Sequence, residues 1–104
     1  MIRLSVSIEA QADLDAIAEY IARDDLAAAE QFIEKLTGMF DRLCDGPGIG
    51  SPRDDLMAGL RGRAFGSYII FYRARHEVLE IVRVIHGARD QTKIFGAAHR
   101  STDQ

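Results

Sequence analysis

The sequence predicts an α+β domain with an N-terminal strand, an antiparallel helical hairpin and a three-stranded antiparallel meander. Three observations predict it. Apolar and polar residues alternate over residues 2–6, apolar residues then recur at helical spacing through two segments that end near Asp45, and from Leu60 the period returns to two. The chain has 104 residues, 47% of them hydrophobic and 28% charged, which suits one compact domain with a single core. The domain is expected over residues 1–96, with 97–104 as a small, polar, frayed tail.

Each element has a local reason. Ile2, Leu4 and Val6 alternate with Arg3, Ser5 and Ser7, as in a half-buried strand. Ser7 is a natural N-cap, and Glu9 suits the positive end of the helix that follows. Leu14, Ile17, Ala18 and Ile21 make that helix's apolar stripe, while Asp13, Asp15, Glu19 and Arg23 point elsewhere. Asp24-Asp25 breaks the helix and caps a second one, whose stripe is Phe32, Ile33, Leu36, Phe40 and Leu43 and which Gly46-Pro47 ends. So short a link makes the two helices antiparallel.

GPGIGSP, residues 46–52, reads as a loop, and residues 53–59 as a short turn of helix. The runs LRGRAF, SYIIFYR and EVLEIVRVIH then read as strands, joined at Gly66 and around residues 74–76. Connections this short carry no crossover, so the three form a meander. Strict alternation in the last run puts Val78, Val82 and Val84 on one face with Glu80 and His86, and Leu79, Ile81 and Ile85 on the other with Arg83. With both faces largely apolar, this strand is central and covered on each side, by the helical hairpin on one.

Composition narrows the function. No apolar stretch approaches the roughly 20 residues that cross a bilayer, and Met1 leads into IRLSVS rather than a basic and then apolar leader, so a soluble, unexported, cytoplasmic protein without membrane contact is expected. The single Cys44 falls at an apolar helical position and reads as a small core residue. The net charge of −3 conceals an asymmetry: residues 1–52 carry four basic and ten acidic side chains, residues 53–104 nine and six. One surface is expected to be acidic and another basic, the latter suited to an anionic partner. His76 and His99 have no metal-ligand spacing with His86 or Cys44, and GPGIGSP lacks the lysine and preceding strand of a phosphate-binding loop. No metal and no cofactor are expected.

The order and spacing of several pieces resemble the ParE/RelE toxin superfamily, small toxins of bacterial toxin–antitoxin modules. They are Asp13-Leu14, Ile17, Tyr20-Ile21-Ala22, Ala28-Ala29, Phe32, Pro47-Gly48-x-Gly50, Gly59-Leu60-Arg61, Phe71-Tyr72-Arg73, and above all Ile81-x-Arg83-Val84-Ile85-His86-Gly87-Ala88-Arg89-Asp90. The resemblance implies a tightly bound antitoxin whose flexible C-terminal segment wraps the hairpin and sheet, with operon DNA contacted only indirectly through that complex. Leu14, Ile17 and Ile21 are the expected apolar antitoxin contacts, and Arg61, Arg73 and Arg83 the expected partners of its acidic side chains.

Two activities divide the superfamily. The RelE branch cleaves messenger RNA on the ribosome, which requires charge stabilisation and proton transfer. Arg61 and Arg63 match basic residues of its first meander strand and Arg89 an arginine after the last strand, while His86 is a further candidate proton shuttle. Ile69 stands where that branch has a second-strand arginine, and Phe95 where it has a tyrosine, and a phenyl ring exchanges no proton. The ParE branch, which traps DNA gyrase by binding, is therefore the expected assignment, with Arg89, Lys93 and Phe95 as expected target contacts and no catalytic residue. The alternatives are a ribonuclease using Arg61, Arg63, His86 and Arg89, and a non-toxic co-repressor that only binds its antitoxin. In the structural reading, His86 hydrogen-bonds the backbone where the strand leaves the sheet, and Arg83 finds a carboxylate or carbonyl partner.

Overall fold

The structure, a computed structural model, describes residues 2–96, so the expected tail 97–104 lies outside the described residues. The order of elements is β1 (Arg3–Val6), α1 (Ile8–Ala22), α2 (Leu26–Asp45), β2 (Ser51–Pro52), β3 (Arg61–Phe65), β4 (Tyr68–Arg75) and β5 (Val78–His86), and residues 91–96 are helical. The predicted α+β layout is present, with a larger sheet than the meander alone. Five strands run in the order β1-β5-β4-β3-β2, and β1 pairs with β5 in parallel while the other pairs are antiparallel. The two-residue β2 carries Pro52 at the sheet edge, where the missing N–H breaks no ladder.

Capping places the hairpin. The Ser7 hydroxyl accepts from the Ala10 N–H at 2.9 Å and donates to the Val82 carbonyl at 2.8 Å, and the Ser7 N–H donates to the Ile81 carbonyl at 3.0 Å. One residue thus starts α1 and continues the edge bonding of β5 where β1 stops. The Asp25 carboxylate accepts from the Ala28 N–H at 3.1 Å to start α2, and Gly46 ends it by donating to the Arg42 carbonyl at 3.0 Å. Beyond it, the Tyr72 hydroxyl accepts from the Gly50 N–H at 2.8 Å and donates to the Pro47 carbonyl at 2.7 Å, fixing the glycine-rich loop on the sheet.

Two apolar layers enclose the sheet. Leu14, Ile17, Leu36, Phe40 and Leu43 of the hairpin pack on Ile70, Tyr72, Leu79, Ile81 and Val84. On the opposite face, Leu56, Leu60, Phe71, Ile85 and Phe95 form a second cluster. Its cover is residues 53–60, where turns stand in place of the expected short helix, together with the helical residues 91–96. Arg53 joins them, donating to Asp55 at 3.1 Å and to the Gln91 side chain at 3.1 Å, with its guanidinium 5.9 Å from the Phe71 ring centre.

The strict alternation expected for β5 is corrected by a bulge. Tyr72 pairs with Ile81 but Phe71 pairs with Arg83, leaving Val82 without a counterpart. The pattern slips by one residue there, so Leu79, Ile81 and Val84 belong to the hairpin side and Val82 and Ile85 to the other. The turn between β4 and β5 also lies later than expected, at His76 and Glu77, both with positive φ (51° and 63°). Cys44 packs half-buried against the hairpin core, and burial, with Asp41 and Asp45 nearby, pushes its thiol up, as befits an unreactive core sulfur.

Candidate functional site

Three of the strand arginines, Arg61, Arg73 and Arg83, are engaged within the chain. Arg83 donates through Nε to Asp13 Oδ2 at 2.8 Å and through Nη2 to Oδ1 at 2.9 Å, and Oδ2 also accepts the Val84 N–H at 2.9 Å. That N–H sits beyond the end of β1, so the carboxylate replaces a missing strand. The hydrogen-bonded carboxylate of Asp13 pushes the Arg83 guanidinium above its ordinary value, against the opposing effect of burial. Arg73 lies opposite Glu80 and donates to it at 3.0 Å, and Arg61 donates to the Gly50 carbonyl at 2.6 Å. Arg63 is half-buried, and its buried Nε has no partner among the described residues.

These placements revise the expected antitoxin contacts. Leu14 and Ile17 are buried in the core, so neither offers a surface in the folded chain, and only Ile21 of the three is half-exposed. Arg61, Arg73 and Arg83 already have internal acceptors. A recess lies between the outer flanks of α1 and α2, a groove of about 530 Å³ lined by Ala18, Ala22, Leu26, Ala29 and Ile33 and bordered by Glu19, Glu30 and Glu34. Leu26 is 64% exposed there, an apolar side chain at the mouth of an apolar groove. The sequence held a signal for this groove, since small residues recur at Ala18, Ala22 and Ala29 and Leu26 lies off the main stripe of α2.

The ribonuclease candidates are divided. His86 and Arg89 line one cleft of about 190 Å³ with Asp13, Tyr20 and Tyr68. Arg61 and Arg63 lie on β3, two strands and about 10 Å from β5, with Ile70 of β4 between Arg63 and Val84 in register. As expected, His86 bonds the backbone: its Nδ1 accepts from the Ala88 N–H at 3.1 Å, and its ring meets Tyr68 edge-on at 5.3 Å.

Of the expected target contacts, Arg89 and Lys93 are exposed and border a second cleft of about 300 Å³ with Asp90 and Ile94. Phe95 requires correction, because it is 2% exposed and its ring packs on Phe71 at 5.0 Å. Ile69 joins the same cluster. The two positions that would carry an arginine and a tyrosine in the RNA-cleaving branch are thus both filled by packing side chains. Among the described residues no cluster of His, Cys, Asp or Glu is arranged to hold a metal ion, and no helix is long and apolar enough to cross a membrane.

The fold is that of a known toxin class. A solved structure titled as the chromosomal ParDE toxin–antitoxin system from P. aeruginosa superimposes with a TM-score of 0.71 at 21% identity, covering 83% of this chain and 96% of that one. Toxin ParE1 of Caulobacter vibrioides is 38% identical over 82 residues, 78% of this chain and 84% of that protein. The model of the ParE toxin of type II toxin–antitoxin systems matches residues 4–91, and the chain belongs to this family.

Proposed function

We propose that the chain is a toxin that acts on DNA gyrase by binding rather than by catalysis, in the cytoplasm, and that a ParD-like antitoxin neutralises it. The observation that carries the non-catalytic reading is the shared fate of Ile69 and Phe95, both spent on the far-face core. Without an arginine and a tyrosine there, a phosphorane has neither its second cation nor a proton-exchanging hydroxyl.

The groove between α1 and α2 is the antitoxin's place in this reading. An amphipathic helix brings a ridge of apolar side chains that covers Leu26 and Ile33, and the alanines let it approach closely. Glu19, Glu30 and Glu34 call for lysine or arginine on its flanks, opposite in sign to the acidic antitoxin expected from Arg61, Arg73 and Arg83. Leu26→Asp with Ala22→Asp tests the placement by calorimetric titration with the cognate antitoxin. Binding weakened at least tenfold supports the groove, and unchanged affinity removes it.

A second reading rests on the cleft that His86 shares with Arg89, a proton shuttle beside a cation. Ribosome-dependent cleavage of messenger RNA, lost in His86→Ala while folding and antitoxin binding persist, would establish it in place of the first.

A further inference from the structure

At 100° per residue, Ala18 and Ala22 face the α1–α2 groove, while Ala16 and Tyr20 fall roughly 150° round the same helix. That second flank meets the end of β5. Tyr20 is 67% exposed there. The His86 Nδ1 is occupied by the Ala88 N–H, so the neutral ring carries its proton on Nε2 as a donor. Arg89 borders both the cleft of about 190 Å³ that holds Tyr20, Tyr68 and His86 and the adjoining one of about 300 Å³ that holds Lys93.

Of the neighbouring carboxylates, Asp13 is committed through both oxygens and Asp90 through Oδ1 alone. Asp13 accepts from Arg83 and Val84, and Asp90 accepts from the Thr92 hydroxyl at 2.6 Å and the Lys93 N–H at 3.2 Å. Apart from Asp90 Oδ2, the strip offers donors, cations and two aromatic rings. Its complement is a ligand made of anionic acceptors with flat groups to stack.

We infer that Tyr20, Tyr68, His86, Arg89 and Lys93 form a contact surface for single-stranded DNA, with the donors on backbone phosphates and the tyrosines against bases. A phosphodiester is anionic and presents acceptors only, matching the strip, and base–aromatic stacking tolerates any sequence. An acidic peptide fits less well, because its carboxylates and backbone bring no flat ring to stack on Tyr20 and Tyr68. The glutamate-bordered groove on the other flank of α1 repels a nucleic acid, which restricts contact to this side. The inference deepens the gyrase reading, since it gives the toxin a grip on strands opened within its target's DNA complex.

The chain has no tryptophan and three tyrosines, of which Tyr72 is buried out of an oligonucleotide's reach, so a change in tyrosine emission on binding reports on the strip. Titration of the full chain with a short oligothymidylate should quench that emission. With Arg89 and Lys93 as the phosphate contacts, a fourfold rise in salt should weaken binding about sevenfold. Arg89→Ala with Lys93→Ala should weaken it roughly tenfold, while helical circular dichroism and antitoxin affinity stay as in the unaltered chain. No quenching, equal quenching in the double variant, or preferential binding of a polyglutamate peptide at the strip would overturn the inference, the last in favour of an acidic protein partner. Gyrase reactions separate the two claims. Unaltered toxin that binds the oligonucleotide but leaves gyrase unaffected overturns the gyrase reading and keeps the strip, whereas toxin that traps gyrase without binding the oligonucleotide overturns the strip.

Discussion

Asp13 and Arg83, seventy positions apart, form a two-pronged ion pair at 2.8 and 2.9 Å that joins the first turns of α1 to the bulged part of β5. The side chains are 12% and 23% exposed, so the pair is well shielded from solvent. Asp13→Ala leaves the guanidinium uncompensated and the Val84 N–H without an acceptor, and should cost about 3 kcal/mol. Urea unfolding checks this, and a loss below about 0.5 kcal/mol would mean that the pair behaves like a solvated surface contact.

Tyr72 and Gly50 make the second joint. A Cβ at position 50 would lie 2.6 Å from the Tyr72 hydroxyl and 2.9 Å from the Gly62 carbonyl, so Gly50→Ala should destabilise by about 2 kcal/mol or more. Tyr72→Phe keeps the packing but abandons the Gly50 N–H and the Pro47 carbonyl, for a loss of about 2 kcal/mol. Thermal unfolding followed by circular dichroism measures both.

The turn at His76 and Glu77 holds two non-glycine residues at positive φ. Left-handed backbone costs a side-chain-bearing residue roughly 1–2 kcal/mol, and glycine removes it at some entropic expense. Glu77→Gly should therefore stabilise the fold by about 0.5–1 kcal/mol, seen as a raised melting temperature. A lowered one would contradict this account of the turn.

Asp90 supplies a pH prediction. The Thr92 hydroxyl first, and then the Lys93 N–H, hold its carboxyl below the ordinary value of 3.8. A folded value depressed below the unfolded one gives stability that is present above pH 3.8 and lost as the pH falls through the folded value. Carbon-detected NMR titration should place the Asp90 midpoint below 3.8, and Thr92→Ala should move it upward. An unmoved midpoint would assign the depression to the backbone alone.

Phe95 separates packing from activity. Replacement by alanine should cost about 3 kcal/mol by emptying the site against Phe71. Restoring the groups of the RNA-cleaving branch, Ile69→Arg with Phe95→Tyr, should produce no ribosome-dependent cleavage, because the guanidinium enters an apolar cluster and destabilises it. Cleavage by a folded double variant would reverse that expectation.

What the sequence disclosed was local. Ser7, Asp25 and Gly46 announced the helix ends through capping chemistry, and Arg83, placed on an apolar strand, announced a carboxylate without naming Asp13. What it concealed depended on distance or on a single residue. The parallel pairing of β1 with β5 joins segments more than seventy residues apart. The bulge at Val82 adds one residue with no compositional mark and reverses the faces of everything after it. The His76-Glu77 turn has no glycine to betray it. Leu14 and Ile17 were legible as an apolar stripe, but whether that stripe meets the sheet or an antitoxin is decided by packing. The same holds for Phe95, whose burial under residues 53–60 depended on a loop that composition described as a turn of helix.

Gyrase inhibition is tested by a supercoiling and cleavage assay with gyrase from the same organism, using toxin freed of antitoxin and shown to be folded. A toxin that traps gyrase abolishes supercoiling and accumulates broken DNA, and adding antitoxin reverses both. Unimpaired gyrase, together with cleavage of messenger RNA on ribosomes by the same preparation, would contradict the gyrase reading.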